Sequence, residues 1–495
     1  MDFPAPLPRS DLAERAFDRA SGAPLVPGNT VRVLLDAQEN YPAWLEAIRS
    51  AQRSILFENY IIEEDEVGLA FAEELAGRAR AGVKVRLIRD WLGSRAGASR
   101  RLWSTLEEAG VQLRVFNPPS LASPLGWVSR DHRKMVAVDG RVGFVSGLCV
   151  SKRWLGDPER RIAPWRDTGV ELHGPAVAWI ERAFKEVWDL TGAPLPAEEL
   201  SVPHTVARAG AVSVRIVAGQ PTSSGLFRLD QMIAAAAQRT LWLTDAYFVG
   251  FVPYVQALRV AARDGVDIRL LVPSTTDLPL ISALSRSGYR PLLEAGVRVF
   301  EWNGSMLHAK TAVADGRWAR VGSSNLNLAS FVGNYELDVA IEDPTIARTL
   351  EDVYLRDLAN STEITLSGHR RVQPLAPRDK STPKGSGRPP VGAVRFVTAV
   401  SAAAASGTRA LGAVERGIEL AVAGGLLVLA TVGFLWPAAL AYPLAVLGVW
   451  LAITLMVREH RHSRQRKIDE KASPPGQAPR AAESGSTAAR EANPD

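Results

Sequence analysis

Short apolar runs alternate with amphipathic segments in the first part of the chain. The runs at residues 31–35, 54–62 and 82–90 are rich in the β-branched and aliphatic residues that strands favour. Between them, residues 41–51 and 66–81 carry apolar side chains at helical spacing. Strands that alternate with helices predict an α/β fold with a mixed or parallel sheet flanked by helices.

The same order of elements begins again at residue 212, after a connection that contains several prolines. A repeated series of strands and helices indicates a duplicated domain. We therefore expect an N-terminal segment at residues 1–28, followed by two similar halves at residues 29–200 and 201–366. The halves are expected to pack face to face, with a site on the pseudo-twofold axis between them.

The pattern changes after residue 366. Residues 367–391 are rich in proline, glycine, serine and basic side chains and show no periodicity, which is typical of a flexible linker. An alanine-rich stretch that could form a helix follows at residues 393–415, and residues 367–416 together are expected to be a basic flexible linker. Residues 420–457 then contain no charged side chain over 38 positions (457 − 420 + 1). Residues 458–495 are polar and low in complexity, so a disordered tail is expected.

The uncharged stretch is long for one membrane span and is interrupted by Pro437 and Pro443. Because one span needs about 20 apolar residues, the length favours two short helices joined by a turn, a transmembrane hairpin at residues 417–457. Basic residues flank the stretch on both sides, which places both ends in the cytoplasm. A buried helix pair in a soluble domain is the alternative.

Composition narrows the possible partners only in part. The net charge of +5 and the pI near 9.4 favour anionic partners such as nucleic acid, phosphorylated metabolites or acidic lipid headgroups. Cys149 is the only cysteine, which excludes an intrachain disulfide and a cysteine-rich metal site. The first residues combine acidic side chains with prolines, so no signal peptide is expected and the first domain should stay in the cytosol.

One short motif occurs twice, as His-x-Lys, four residues and Asp-Gly-Arg. The candidate catalytic residues are His132, Lys134, Asp139, His308, Lys310 and Asp315. The two copies are separated by 176 residues (308 − 132). Because the motif repeats together with the elements around it, each half contributes one copy.

The residues that follow each His-x-Lys alternate in the manner of a strand, on which residues i and i+2 share a face. His132 and Lys134 are therefore expected to point the same way, as are His308 and Lys310. Each Asp-Gly pair is typical of a hairpin turn at the far end of that strand. By this geometry the aspartates have a structural or charge-pairing role and do not contact their own histidines.

Two imidazoles and two ammonium groups that meet at one site supply a nucleophile, a general acid and two cations that hold an anion. Metal binding is the rival use of paired histidines. The lysines beside them would repel a cation, however, and no carboxylate cluster with ligand spacing accompanies them. The pattern favours a phosphate held without a metal, and no cofactor is expected.

These motifs resemble the signature of the phospholipase D superfamily, in which His-x-Lys-x4-Asp occurs twice, and the resemblance covers residues 31–358. It implies that one histidine attacks a phosphodiester to form a phosphohistidine. The other histidine protonates the leaving alcohol and then deprotonates the acceptor. The resemblance implies His132 as nucleophile and His308 as acid/base, or the reverse, with Lys134 and Lys310 holding the phosphate.

Further residues join the candidate set by resemblance. Asp139 and Asp315 complete the family motif. Asp167 and Glu336 resemble the acids that orient the histidines, and they could pair across the two halves. A small-residue turn that ends in Asn follows each family motif, which adds Ser146, Ser323 and Asn325. With the two acids, the supporting residues implied are Asp167, Glu336, Ser146, Ser323 and Asn325.

The first half departs from this pattern, because Cys149 stands where the family has Asn. A thiol is a poorer hydrogen-bond donor than an amide, so one contact to phosphate or backbone is expected to be missing. Since the chain has no second cysteine to resolve an oxidised thiol, Cys149 is expected to be a small buried side chain and not a redox nucleophile.

Within the superfamily the sequence is most similar to bacterial cardiolipin synthases, on the stretches at residues 164–177, 292–302 and 306–327. This subgroup implies transfer of a phosphatidyl group from phosphatidylglycerol, or another phospholipid, to an alcohol acceptor. It also implies a bacterial inner-membrane location with the catalytic domain facing the cytoplasm. A phospholipid and the membrane are the expected partners, and nucleic acid is not. Cardiolipin synthases often place their spans before the catalytic repeats, whereas here the apolar stretch follows them.

Two alternatives stay open from the sequence. Water as the acceptor would make the protein a phospholipase D-type hydrolase or a metal-independent nuclease. The tryptophans that could then stack bases are Trp103, Trp127, Trp154, Trp165 and Trp302, although such residues more often pack in a core. A degenerate repeat acting as a membrane-anchored scaffold is the non-enzymatic alternative, against which the intact motifs in both halves argue.

Overall fold

The computed structural model describes residues 11–120, 128–221, 223–277, 279–367 and 372–374, together with positions 442 and 450. The predicted tail, nearly all of the predicted linker and all of the predicted transmembrane hairpin except positions 442 and 450 lie outside the described residues. Within the described residues, no helix is both long and apolar enough to cross a membrane.

The described part of the chain contains sixteen strands and nine α-helices. The strands are β1 (Val26–Leu35), β2 (Ser54–Asn59), β3 (Lys84–Asp90), β4 (Gln112–Phe116), β5 (Lys134–Val138), β6 (Val142–Ser146), β7 (Thr168–His173), β8 (Val212–Gly219), β9 (Thr240–Thr244), β10 (Asp267–Pro273), β11 (Arg298–Trp302), β12 (Thr311–Ala314), β13 (Trp318–Gly322), β14 (Glu336–Glu342), β15 (Ser361–Leu366) and β16 (Val372–Pro374). The helices are α1 (Asp11–Ser21), α2 (Asp36–Ser50), α3 (Glu66–Arg80), α4 (Arg100–Glu108), α5 (Val177–Leu190), α6 (Gly225–Ala236), α7 (Val252–Arg263), α8 (Pro279–Leu293) and α9 (Pro344–Ala359).

The described strands form one continuous mixed sheet, in which the two halves have the same topology. The first half has the order β1-β7-β6-β5-β2-β3-β4, and the second repeats it as β8-β14-β13-β12-β9-β10-β11. Strands β2, β3 and β4 run parallel, as do β9, β10 and β11. Strands β1 and β8 pair antiparallel and connect the halves at one edge. The α/β fold with a mixed sheet flanked by helices is therefore confirmed.

The apolar faces of the strands are buried in three main places. One cluster lies under α2, α3 and α4, and a second lies under α6, α7 and α8. The third cluster draws on both halves, with Val145 and Val170 from the first and Val321 and Val339 from the second. Each such side chain contributes about 1.5–3 kcal/mol when it is fully buried. The halves therefore pack face to face, as the sequence predicts, in addition to their pairing through β1 and β8.

Each motif begins at the edge of its own half where the parallel strands of that half end. Strand β2 ends at Asn59 and is followed by the buried Tyr60, and β9 is followed by the buried Asp245 and Tyr247. Strands β5 and β12 run antiparallel to β2 and β9, so they begin at this same edge. Ligand sites of open α/β sheets lie outside the carboxyl ends of the parallel strands. The topology therefore places each motif at the carboxyl edge of the parallel strands in its own half, and the packing of the two halves brings the motifs together.

Each motif strand ends in the predicted Asp-Gly turn. Asp139 and Gly140 have φ values of +56° and +68°, and Asp315 and Gly316 have +53° and +63°. Positive φ at both central positions is the requirement of a type I′ hairpin, which Asp-Gly meets at little steric cost.

The two motif aspartates bind backbone groups at these turns. The carboxylate of Asp139 accepts the N–H groups of Gln52, Arg53 and Ser54 at 2.8, 2.7 and 2.9 Å. The carboxylate of Asp315 accepts the three equivalent N–H groups of residues 238–240 at 2.9, 2.8 and 2.9 Å. Both lie at the far end of the motif strand from the histidines. These contacts support the structural role and do not bring Asp139 or Asp315 to the histidines, although the family motif includes both in the candidate catalytic set.

We predict that Asp139→Ala and Asp315→Ala each lower the free energy of unfolding by about 1–3 kcal/mol, because three backbone donors lose a charged acceptor. Turnover per folded molecule should change little. Urea unfolding, combined with activity normalised to folded protein, checks this. Asp264→Ala, at an exposed position after α7, is the control and should stay within about 0.5 kcal/mol of wild type. A large loss of turnover at unchanged stability would assign the aspartates to the chemistry.

Candidate active site

Each motif histidine is attached to the opposite half through its backbone. The N–H of His132 donates to the carbonyl of Tyr335 (2.8 Å), and the N–H of His308 donates to the carbonyl of Arg166 (2.7 Å). The sequence predicts that the motif strands include the histidines, but β5 and β12 begin only after them. The reason is that these N–H groups bond across the interface between the halves and not to a neighbouring strand.

Each histidine side chain is paired with a carboxylate from the opposite half. Nδ1 of His132 lies 2.9 Å from Oε2 of Glu336, and Nδ1 of His308 lies 2.7 Å from Oδ2 of Asp167. All four side chains are buried. Because a carboxylate fixes Nδ1, the chemistry of each ring is directed to Nε2. The structure thus brings together the two histidines and the two acids that the sequence offers as candidates.

Both motif lysines are buried beside the histidines. Nζ of Lys134 donates to the carbonyl of His132 (2.5 Å) and lies 5.2 Å from the ring centre of Tyr60. Nζ of Lys310 donates to the carbonyl of His308 and lies 3.0 Å from Nδ1 of the same residue. Two cations removed from water at one site favour the binding of an anion. Among the described residues, no group of three or more His, Cys, Asp or Glu side chains is arranged to hold a metal ion.

The two histidine-binding carboxylates differ in pKa. Burial raises the pKa of Glu336 to about 8, against the opposing effects of the Lys134 charge and the Ser323 hydroxyl. Burial also acts to raise the pKa of Asp167, but the ion pair and hydrogen bond with His308 hold it below its usual range. Near neutral pH Asp167 is therefore ionised, whereas Glu336 keeps its proton more readily. The two halves of the site are electrostatically unequal.

Burial also lowers the pKa values of basic groups at the site. Burial and the charge of Lys310 lower the pKa of His308 to about 4, although Asp167 acts in the opposite direction. Burial, with repulsion from Lys134, lowers the pKa of Lys310 to about 8. An anion bound between the two lysines would stabilise the protonated forms and raise both pKa values.

The halves restrain their acids by different contacts. In the second half, Oγ of Ser323 donates to Oε2 of Glu336 (2.6 Å). The equivalent position in the first half is Gly147, because 323 − 147 is again 176. A Cβ added to Gly147 would lie 2.2 Å from Oδ1 of Asp167, so the acid occupies the space of a side chain. In place of a serine, Nε1 of Trp154 donates to Oδ2 of Asp167 (2.8 Å).

The remaining supporting candidates lie in these turns. The hydroxyl of Ser146 accepts an N–H within its own turn (3.1 Å), so Gly147, and not Ser146, lies against the acid. Asn325 is buried, and among the described residues its Oδ1 atom has no hydrogen-bond partner. Cys149, at the equivalent position, is buried as predicted, and its carbonyl accepts the O–H of Tyr41 (2.5 Å).

Two tyrosines that sequence reasoning missed contact the histidines. The ring centre of Tyr60 lies 5.0 Å from that of His132, and Tyr247 lies 5.8 Å from His308. Each tyrosine comes two residues after a buried acid at the end of β2 or β9. The two tyrosines are at equivalent positions, so a comparison of the two halves could have identified them. A tyrosine beside an apolar run does not by itself indicate a site.

Two tryptophans enclose the second histidine. The ring centres of Trp154 and Trp165 lie 5.2 and 5.6 Å from that of His308, and both tryptophans are buried. Trp103 is also buried, Trp302 is half-buried and Trp127 lies outside the described residues. Rings buried in this way pack the interior and are not the exposed stacking surface that single-stranded nucleic acid requires.

This fold, with two His-x-Lys motifs at one site, defines the phospholipase D class. Residues 44–188 and 229–358 match the family model described as cardiolipin synthase, PLD-like domain. Over 366 residues the chain is 36% identical to cardiolipin synthase A of Pseudomonas aeruginosa, covering 73% of each protein. Over 352 residues it is 32% identical to a cardiolipin synthase of Geobacillus sp. strain WCH70, covering 70% of this chain and 69% of that protein.

Among solved structures, phosphatidylserine synthase of Haemophilus influenzae Rd KW20 shares the fold, with a TM-score of 0.57 and 15% identity over 73% of this chain and 94% of that chain. The chain belongs to the cardiolipin synthase-like family of the phospholipase D superfamily. The family predicted from the sequence is therefore confirmed.

We predict that the fall of kcat/KM for an anionic phospholipid with rising pH becomes steeper above about pH 8. Lys310 is charged below its pKa of about 8 and neutral above it, so the site loses a cation for the phosphate on the alkaline side. In Lys310→Arg the guanidinium stays charged, and this decline should move to a pH above about 10. A pH series of initial rates, each variant scaled to its own maximum, measures the shift.

The control for this series is Lys152→Arg, at a lysine outside the site that pairs with Glu66 and Asp157. Its pH profile should match that of wild type. An alkaline decline that stays at the same pH in Lys310→Arg would show that another group, such as Glu336, governs it.

Proposed function

We propose that the protein transfers a phosphatidyl group from phosphatidylglycerol, or another phospholipid, to an alcohol acceptor through a phosphohistidine. The observation that carries the proposal is one buried site in which two lysines lie beside two histidines, each histidine paired with an acid of the opposite half. The relatives at 36% and 32% identity are cardiolipin synthases. The protein is thus a phosphatidyltransferase of the phospholipase D superfamily.

In the first half-reaction, Nε2 of His132 attacks the phosphorus of the donor lipid. A P–N bond forms and the bond from phosphorus to the headgroup oxygen breaks, which leaves the phosphatidyl group on the histidine. His308 gives a proton to the departing oxygen, so phosphatidylglycerol releases neutral glycerol. Lys134 and Lys310 offset the negative charge on the non-bridging oxygens.

His308 must carry a proton in that step. Its pKa in the free protein is lowered by burial and by the neighbouring lysine charges. A bound phosphodiester offsets those charges, so the pKa of His308 rises and proton uptake accompanies substrate binding. Ionised Asp167 then stabilises the imidazolium, as a carboxylate does in other histidine-based sites.

In the second half-reaction, the acceptor hydroxyl gives its proton to His308 while its oxygen attacks phosphorus. The P–N bond breaks and His132 is regenerated. With phosphatidylglycerol as the acceptor the product is cardiolipin, and with water it is phosphatidic acid. The reverse assignment, with His308 as nucleophile, uses the same pairs, but the ionised acid beside His308 favours it as the residue that receives protons.

We also propose that residues 417–457 anchor the protein in the bacterial inner membrane as a hairpin, with the catalytic halves on the cytoplasmic side. The basic flanks of that stretch and its length support this topology. A linker at residues 367–416 would hold the site near the bilayer surface, where the local concentration of lipid substrate is high.

We predict that the purified full-length protein converts phosphatidylglycerol in mixed micelles to cardiolipin and glycerol, as followed by mass spectrometry. His132→Ala and His308→Ala should each lower turnover by about 10³-fold or more, because both half-reactions need both groups. His204→Ala, at an exposed position in the segment that precedes β8, is the matched control and should keep wild-type turnover.

Other products would point to other functions. Phosphatidic acid as the sole product would replace the transferase with a hydrolase. Metal-independent cleavage of single-stranded DNA without lipid turnover would assign the protein to the nucleases. Near-wild-type turnover in either histidine-to-alanine variant would contradict a shared two-histidine site.

For the membrane topology, we predict that a reporter fused after Asp495 is active in the cytoplasm. Both ends of a hairpin lie on the same side of the membrane, so an N-terminal fusion should report the same compartment. Deleting residues 417–457 should move the protein from the membrane fraction to the soluble fraction. A periplasmic signal from the C-terminal fusion would exclude the hairpin.

A further inference from the structure

Arg166 lies directly behind Asp167 and is almost entirely buried. Its Nη1 atom donates to the carbonyl of Asp167, to Oγ1 of Thr168 (3.1 Å) and to Oδ1 of Asp36 (3.1 Å). Its Nε atom donates to both carboxylate oxygens of Asp357, at 3.0 and 3.1 Å. One guanidinium therefore connects the peptide of Asp167 to helix α9 of the opposite half.

Asp36 binds both the N–H and the carbonyl of Asp167. Its N–H donates to the carbonyl of Asp167 (2.9 Å), and its Oδ1 atom accepts the N–H of Asp167 (2.8 Å). Asp36 has a φ of +53°, a conformation that residues with a side chain adopt infrequently. A strained residue whose contacts end on a site acid is consistent with a role in the geometry of the site.

The second half restrains its acid in a different way. Tyr335 occupies the place equivalent to Arg166, because the carbonyl of each accepts the N–H of a motif histidine. There, the hydroxyl of Ser323 donates directly to the carboxylate of Glu336 (2.6 Å). In the first half the position of Ser323 is Gly147, which has no side chain to donate. The first half therefore restrains its acid through the indole N–H of Trp154 and through the peptide groups on either side of the acid.

We propose that Arg166 is a positioning residue that holds Asp167, and through it the imidazole of His308, in the geometry that proton transfer requires. The inference rests on the proposed function, in which His308 is the acid/base. Without the guanidinium the peptide of Asp167 is free to shift, and a displacement of about 1 Å lowers a rate by about 100-fold. Because Arg166 lies behind the acid, its loss acts on kcat more than on KM.

A cavity of about 380 Å³ opens beside this network. Arg166, Asp36 and Asp357 line it, and the exposed residues Arg356 and Asn360 lie at its rim. Solvent therefore reaches the place that the guanidinium group would leave after truncation to alanine. A free guanidinium ion can enter there and bind between the same two carboxylates.

The test is chemical rescue in the full-length protein. With phosphatidylglycerol in mixed micelles, Arg166→Ala should lower kcat by about 100-fold, while KM changes by less than about threefold. Guanidinium chloride at millimolar concentration, well below denaturing levels, should restore kcat by about tenfold or more because it replaces the missing donors. Sodium chloride at equal ionic strength should restore nothing.

Two variants separate positioning from a general effect on stability. Arg86→Ala removes another buried arginine of the first half, which pairs with Glu199 (2.8 Å). This variant should have a lower free energy of unfolding, but guanidinium chloride should not raise its kcat. Arg166→Lys keeps the positive charge but lacks the fork that reaches Asp357 and Asp167 together, so its kcat should stay low.

The inference is overturned if folded Arg166→Ala keeps kcat within about threefold of wild type, or if guanidinium does not raise its kcat. Should that variant fail to fold, Asp357→Asn takes its place and should lower kcat by about tenfold at unchanged KM, and an unchanged kcat would again overturn the inference. The wild-type reaction separates the two proposals. If wild type forms no lipid product, the proposed function itself fails.

Discussion

The site depends on one exchange of backbone hydrogen bonds between the halves. The N–H of each motif histidine donates to the carbonyl of the residue that precedes the opposite acid, His132 to Tyr335 and His308 to Arg166. Backbone groups have fixed positions relative to their own chain, so this exchange sets the register of two segments and does not depend on flexible side chains. The next residue along is the acid, and it is thereby placed beside the histidine. The shared core and the β1–β8 pairing bring the segments close, but the exchange aligns them.

The same alignment gathers groups of like charge away from water. Two buried lysines lie near two histidines whose side chains are held by acids, and the pKa values of Lys310 and His308 fall as a result. Such a cluster opposes folding, and the surrounding apolar packing must outweigh it. In return, the site already has the charges that a phosphodiester needs, so little reorganisation is required when one binds. The Asp139 and Asp315 turns contribute by fixing the far ends of both motif strands.

Much of this architecture could be predicted from local sequence signals. Apolar periodicity located the strands and helices, and Asp-Gly located the hairpins. The resemblance to the family pointed to the acids Asp167 and Glu336, which follow His132 and His308 by 35 (167 − 132) and 28 (336 − 308) residues. Arg166 and Gly147 could not be assigned in this way. The contacts of Arg166 join residues far apart in sequence, and the importance of Gly147 comes from a side chain that is absent. Such effects arise only when two segments are brought together, whereas turns and strands follow from neighbours in the chain. The membrane hairpin at residues 417–457 stays a prediction.

The difference between Gly147 and Ser323 has a consequence for how such a site can change. In a symmetric pair of identical subunits every substitution occurs twice, once on each side of the axis, so a change that suits one role is imposed on the other. Here both sides belong to one polypeptide, and each position varies alone. Cys149 and Asn325, which are at equivalent positions, can likewise differ because each position varies alone. Joining the halves covalently therefore allows attack and proton transfer to be adjusted separately, although the backbone that supports them keeps its twofold form.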